Sequence, residues 1–221
     1  NGLYPFTSLE AGDDYTVEPT YNPAVNLSNV TTADLIMISR HILGLEPLTG
    51  EYQLLAANAN QDANVNILDI IAIRRVILGL DNAFQATNSW RFYVAGDNSH
   101  PESYTQNSLE GTITRIDFVA VEIANVTDAS ADFEGPTSNT SARSTMGLNV
   151  QDIDMTAGNT YEVNFTAADM IGFQGTLELG AGVQLVDVTS AALEAGNFNL
   201  TNAAQGLIAV SYNGEVGDLF T

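Results

Sequence analysis

A segment that occurs twice, 35 residues apart, constrains this chain more than any other feature. Residues 30–45, VTTADLIMISRHILGL, return as residues 65–80, VNILDIIAIRRVILGL. Val30, Asp34, Ile38, Arg40, Ile42, Leu43, Gly44 and Leu45 are matched by Val65, Asp69, Ile73, Arg75, Ile77, Leu78, Gly79 and Leu80. In each copy the apolar residues recur at the spacing of one helix face, Leu35, Ile38, Ile42 and Leu45, then Ile70, Ile73, Ile77 and Leu80. A glycine stands where each helix should end, since a residue without Cβ enters the left-handed conformation of a helix cap at low cost. Each copy predicts one short amphipathic helix. A single such helix has nothing to bury its stripe against, so the duplication predicts a pair packed face to face.

Residues 58–69, leading into the second helix, read NANQDANVNILD. Oxygen-bearing side chains fall on positions one, three, five, seven, nine and twelve, the alternation by which a loop of the EF-hand type wraps calcium. Calcium is a hard ion that takes oxygen ligands. Here the carboxylates of Asp62 and Asp69, the amides of Asn58 and Asn60, the main-chain carbonyl of Asn64 and the further amide of Asn66 can supply them. Position one is Asn58 where such loops favour aspartate, and position six is Ala63 where they favour glycine. With two formal charges around the ion, the expected affinity is weak, on the order of 10⁻⁴ to 10⁻³ M. The equivalent loop before the first helix has Pro23, Val25 and Leu27 at positions one, three and five, so it is expected to be metal-free. Asn and Asp also form turns and caps without any ion, and the spacing leaves that reading of residues 58–69 open.

Around the helix pair the pattern changes to short strand-like runs. Leu3–Phe6 and Tyr15–Val17 flank a turn at residues 10–14 and predict a hairpin. Trp90–Val94 and Ile116–Ile123 predict two strands separated by a polar loop with His100, Pro101 and Glu102. Residues 128–144 are rich in Ala, Ser, Thr, Gly and Pro without periodicity, the composition of a linker. Beyond it, 146–150, 160–165, 172–179, 183–188 and 207–212 predict five strands at the spacing of a sandwich.

The chain carries 27 acidic and 6 basic residues, a formal net charge of −21, so a phosphate backbone or anionic lipid surface would repel it. Nucleic acid is excluded as a partner. The most apolar stretch, 67–80, is broken by Asp69, Arg74 and Arg75, so no insertion into a membrane is expected. There is no cysteine, hence no disulfide, thiolate metal site or cysteine nucleophile. His41 and His100 have no serine or carboxylate partners that make a triad, no glycine-rich phosphate loop occurs, and no enzyme activity is expected. Trp90 is expected in the core rather than on a sugar-binding surface. Glycosylation sequons begin at Asn26, Asn29, Asn125, Asn139, Asn164 and Asn199, several of which an Asn- and Thr-rich chain produces by chance.

The duplicated helix with its Asx-rich loop resembles type I dockerins. Residues 30–94 carry Arg40-His-Ile-Leu-Gly44, Ala56-Ala-Asn-Ala-Asn60, Arg75-Val-Ile-Leu-Gly79 and Asn88-Ser-Trp-Arg-Phe92 in order. That succession is similar to the dockerin-like modules in large secreted surface proteins of Bacteroidetes. The resemblance implies calcium ligands at Asn58, Asn60, Asp62, Asn64 and Asp69. Residues 1–19 are similar to the last hairpin of a prealbumin-like, Cna B-type sandwich. Residues 146–221, through Ala157-Gly158, Ile171-Gly172-Phe173-Gln174 and Leu177-Glu-Leu179, resemble part of a cohesin-like sandwich. These resemblances imply an α+β multidomain chain. Residues 1–20 would be a terminal hairpin, 21–128 a dockerin-like module with added strands, 129–144 a linker and 145–221 an incomplete cohesin-like β-sandwich. They imply an excerpt from a long modular protein exported to the cell surface, with the type IX route as the expected one. The expected function is a calcium-stabilised structural segment of an extracellular adhesive or filament-forming protein. Its expected partners are other copies of the chain, as a homo-oligomer, or flanking domains, with cell-surface glycans a further class. The rival reading is a recognition module that docks a cohesin or binds carbohydrate for a secreted enzyme complex.

Overall fold

The computed structural model describes residues 4–21, 29–127, 153–166, 172–190, 193–213 and 218–220 of the 221. Its elements are mixed, with three helices and small antiparallel sheets. The expected linker over 129–144 and the expected strand over 146–150 lie outside the described residues.

The two copies of the repeat form α1 (Thr32–Ile42) and α3 (Ile67–Ile77). Both begin with the same device. Thr31 and Asn66 are N-caps in extended conformation, and the carboxylates of Asp34 and Asp69 reach back to the cap backbone to close a capping box. Both also end alike, with Gly44 (φ 70°) and Gly79 (φ 68°) in the left-handed region and the N–H of Leu45 and Leu80 donating back to the carbonyls of Arg40 and Arg75, each at 2.9 Å. Even the surface ion pairs recur at the repeat offset, Arg40 with Glu46 and Arg75 with Asp81. The local sequence rules that were duplicated give duplicated local structure.

Between the helices lies α2 (Gln53–Ala57), a five-residue helix that has no sequence period of its own. Its Ala56 and Ala57 are fully buried in one core with Val30, Leu35, Ile38, Tyr52, Ile70, Ile73 and Tyr93. That core is closed by β2 (Trp90–Val94) and β4 (Phe118–Glu122), which pair antiparallel with Trp90 opposite Glu122. The chain leaving β4 stays inside. Ile123, Ala124 and Val126 are wholly buried, Ala124 N–H donates to the Ala56 carbonyl at 2.8 Å, and the Gln53 amide donates to the Val126 carbonyl at 2.9 Å.

The expected hairpin between Leu3–Phe6 and Tyr15–Val17 is not what the structure shows. β1 (Tyr15–Val17) pairs antiparallel with β3 (Tyr104–Gln106), an excursion between β2 and β4, and residues 4–14 form no strand. Pro5 cannot donate to a ladder, and Tyr4 and Phe6 are exposed, so no burial draws that segment into one. Gly12 and Leu109 instead extend the β1–β3 register through N–H bonds to Leu109 O and Asp13 O.

The remaining elements are β5 (Phe165–Thr166), β6 (Gly172–Glu178), β7 (Phe198–Asn199), β8 (Leu207–Asn213) and β9 (Asp218–Phe220). β8 sits between β6 and β7, and β5 pairs with β9. The apolar run 183–188 is not a strand, and Val183 and Val186 are exposed. Alternation divides the β6–β8–β7 sheet into two faces. Phe173, Leu177, Phe198, Val210 and Tyr212 gather with Leu193 into a second, smaller core. The opposite face carries Gly172, Gln174, Asn199, Ser211 and Asn213, and it receives the helices. Thr32 bonds Gln174 at 3.1 Å, Asn213 donates to Ser39 at 3.0 Å, Arg74 donates to Asn213, and Asn199 donates to the Leu78 carbonyl at 2.8 Å. Gly172 allows the approach: a Cβ there would stand 2.5 Å from Thr32 Cγ2 and 2.9 Å from Ile36 Cδ1. Burial at this contact pushes the Arg74 guanidinium pKa down, opposed by the charge of Glu194.

Candidate functional site

Residues 58–69 form a loop that runs from the end of α2 into the N-cap of α3. Asx turns shape it. The Asn60 side-chain oxygen accepts the Asp62 N–H at 2.9 Å, and Asp62 Oδ1 accepts the Asn64 N–H at 2.8 Å. Asp62 Oδ2 receives the side-chain amides of Asn60 (3.0 Å) and Asn66 (3.3 Å). The Asn64 N–H bond above all holds the Asp62 carboxyl below its ordinary pKa; desolvation opposes it, and the two amide bonds add smaller contributions in the same downward direction.

The left-handed residue of this loop is Gln61 (φ 57°), at position four rather than at six, where loops of the EF-hand type place their glycine. Ala63 at position six is not in the positive-φ region, so the alanine that breaks the expected glycine pattern carries no strain there.

Two features of the loop bear on whether it could hold a cation. Asn58 Oδ1, at position one, is buried and has no hydrogen-bond partner, while its amide nitrogen donates to the Asp62 carbonyl at 2.7 Å. An unmatched buried acceptor is costly, and a cation is one group that satisfies it. At position twelve, Asp69 is fully buried, with Oδ1 accepting the Asn60 N–H at 3.0 Å and Oδ2 accepting the Asn66 N–H at 2.8 Å. A carboxylate offers about four lone-pair sites, so two bonds leave acceptor capacity on a buried charge. Asn58, Asn60, Asp62 and Asp69 are thus tied together by direct contacts. Asn64 enters through its backbone and Asn66 chiefly as the cap, its oxygen taken by the Leu68 N–H at 2.8 Å. Among the described residues no three His, Cys, Asp or Glu side chains gather as a metal site, so any ion here depends on amide and main-chain oxygens. That donor set suits calcium, which accepts carbonyl ligands in flexible geometry, better than magnesium.

The first copy uses its matching carboxylate differently. Asp34, also fully buried, accepts five bonds: Val126 N–H (2.8 Å), Thr127 N–H (3.0 Å) and Thr127 Oγ1 (3.0 Å) on Oδ1, with Thr31 N–H (2.8 Å) and Thr31 Oγ1 (3.1 Å) on Oδ2. Its lone pairs are spent on the chain leaving β4.

The other singled-out side chains are structural or displaced from expectation. His41 Nδ1 accepts the Leu48 N–H at 3.1 Å and holds the chain as it turns after α1. His100 packs edge-on against Tyr52 and Tyr93 with Nε2 3.4 Å from Glu51 Oε1. Trp90, expected in the core, is only half-buried. The inward side of β2 is taken by Tyr93, 2% exposed, and Trp90 with Phe92 lies on the other side, where Tyr21 meets the Trp90 ring edge-on at 6.3 Å. Of the sequons, Asn125 and Asn199 are buried in the fold, with their amides donated to Glu122 and the Leu78 carbonyl.

Compared with protein-family models, with curated proteins and with solved structures, the chain matches none. The functional reading therefore rests on the residues themselves.

Proposed function

We propose that this chain is a calcium-stabilised, non-catalytic structural segment of a large extracellular cell-surface or filament-forming adhesive protein, built from a dockerin-like helix pair and a cohesin-like sheet. The observation that carries the proposal is the buried, unmatched Asn58 oxygen facing a loop whose fully buried Asp69 keeps acceptor capacity. An ion bound to the folded loop alone adds stability by mass action. The direct bonds from α1 and α3 to the β6–β8–β7 sheet support a load-bearing role, because they join the helix pair to the sheet without relying on a linker. The acidity of the chain keeps neighbouring copies soluble and makes a divalent cation a natural counter-charge.

A second reading, recognition of a partner by the helix pair, draws on one observation. α1 is covered, since Leu35 and Ile38 are buried and Ile36 meets the sheet, but the start of α3 leaves Ile67, Leu68 and Ile71 exposed. Light scattering of the chain in millimolar calcium and after chelation tests both, alongside melting temperature. A melting temperature raised by calcium, with oligomers that dissolve on chelation, supports the structural role. A melting temperature indifferent to calcium overturns it.

A further inference from the structure

Trp90 does not reach the core because it helps to wall a cleft. This cavity, about 630 Å³, lies between the 18–21 segment, the 84–88 turn and β2, within the size range of small-ligand sites. Four aromatic side chains line it, Tyr21, Phe84, Trp90 and Phe92, together with three amide side chains, Gln61, Gln85 and Asn88. Two carboxylates, Glu18 and Glu102, stand in the same lining, and its one guanidinium, Arg91, is ion-paired with Glu102.

We propose that this cleft is a binding site for a short neutral oligosaccharide. Each part of the lining answers a property of that ligand. A pyranose presents a face of slightly positive C–H groups, which suits the negative face of an aromatic ring. Its hydroxyls both donate and accept, and a side-chain amide is the group that does both as well. Carboxylates accept from hydroxyl pairs without requiring a charged ligand. Charge removes the competitors. With Arg91 neutralised by Glu102 and a chain charge of −21, the cleft repels uronates, sulfated sugars and phosphates. A proline-rich peptide also uses aromatic grooves, but it has no side-chain hydroxyls to occupy the amides and carboxylates of this one.

Gln61 joins this cleft to the candidate calcium loop. It is the left-handed residue at position four of that loop, and its side-chain amide also donates to the Asn58 carbonyl. Fixing the loop would fix this wall of the cleft, so calcium should tighten sugar binding several-fold. The coupling rests on the calcium reading, whereas the cleft itself does not.

The chain has a single tryptophan, so its fluorescence reports on Trp90 alone. The test titrates the full chain, in calcium and again in chelator, with cellotriose, maltotriose and tri-N-acetylchitotriose, with trigalacturonate as the anionic control and a proline-rich peptide as the rival. The expected result is a saturable change in Trp90 emission with at least one neutral trisaccharide. Gln85→Ala and Asn88→Ala, both at exposed positions, should each weaken it about tenfold, the order expected for one lost hydrogen bond. An unchanged circular dichroism spectrum shows that these variants fold. No saturable change at about 10 mM sugar, well above a millimolar dissociation constant, overturns the proposal. So does trigalacturonate binding as tightly as the neutral sugars, or a response to the peptide alone. Sugar binding that ignores calcium, with no calcium effect on melting, removes the loop reading and leaves the cleft. A calcium-raised melting temperature with no sugar response does the reverse.

Discussion

Replacing Asp34 by alanine should cost more than any other single truncation of a charged side chain in the helix pair, and the cost should be the same with and without calcium. Asp34 is fully buried and its two oxygens accept five hydrogen bonds, three of them from the Val126–Thr127 segment that follows β4. In Asp34→Ala the Val126 N–H, at a residue with no exposure, loses its acceptor, which costs about 1–3 kcal/mol. The Thr31 N–H also loses the carboxylate half of the capping box, for about 0.5–1.5 kcal/mol, while Thr31 itself still caps the helix. A loss of about 3 kcal/mol is expected, a large share of the roughly 5–15 kcal/mol that a folded protein has. For a chain of this length it corresponds to a drop in melting temperature of about 6–12 °C. Asp34→Asn keeps one acceptor oxygen and should lose about 1 kcal/mol. Urea unfolding followed by circular dichroism, in chelator and in calcium, measures both. A loss below about 0.5 kcal/mol, the range of ordinary surface changes, would refute the clamp. A loss that appears only in calcium would refute the distinction between the two loops.

At the second loop the expectation is inverted. With a dissociation constant of about 10⁻⁴ to 10⁻³ M, about 10 mM calcium should add about 1.4–2.7 kcal/mol, and Asp69→Asn or Asn58→Ala should remove that increment, read as the difference between unfolding curves with and without the ion. Gly172→Leu drives a side chain into Thr32 and Ile36, so it should part the sheet from α1, raising the radius of gyration in small-angle scattering while the circular dichroism of both helices persists; an unchanged radius would mean that the contact is incidental. Acid should destabilise the chain through Asp81, whose carboxyl is held below its ordinary 3.8 chiefly by the Arg75 hydrogen bond. A folded pKa below the unfolded one gives stability that is present above the unfolded value and lost as pH falls through the folded one. The urea midpoint should therefore fall below about pH 4, less steeply in Asp81→Asn, and equal slopes would remove the pair from the account.

What the sequence disclosed follows from how local each rule is. α1 and α3 were legible because an apolar stripe, a capping Asx or Thr and a terminal glycine all lie within one helix. β2 was legible to the residue for the same reason. α2 was not, since QLLAA has no period; its helix owes its place to burial of Ala56 and Ala57 and to the bond that Ala124 brings from far along the chain. Tyr15–Val17 announced a strand but not its partner, which comes from residues 104–106. Trp90 was misplaced because the fate of a half-strand's outer face depends on what covers it, and here Tyr21 and the cleft lie against it. The left-handed turn at Gln61 was not legible, because nothing about glutamine signals a positive φ.

The contrast between Asp34 and Asp69 shows how a duplicated site divides its work. Both carboxylates close the same capping box, and in both Oδ1 accepts an N–H from an incoming loop. In the first copy that loop is the chain after β4, 92 residues away in sequence, which fills the remaining acceptor sites with further peptide and hydroxyl donors. Peptide donors are present at every calcium concentration, so the α1 side, which carries most of the contact with β6 and β8, is held permanently. In the second copy the donors come from the loop itself, one to each Asp69 oxygen and none to the Asn58 oxygen. On the calcium reading proposed above, an ion would act on the α3 side, where Gln61 lines the cleft. Such a cation would fix the Gln61 wall of the cleft and leave the bonds between α1 and the sheet untouched.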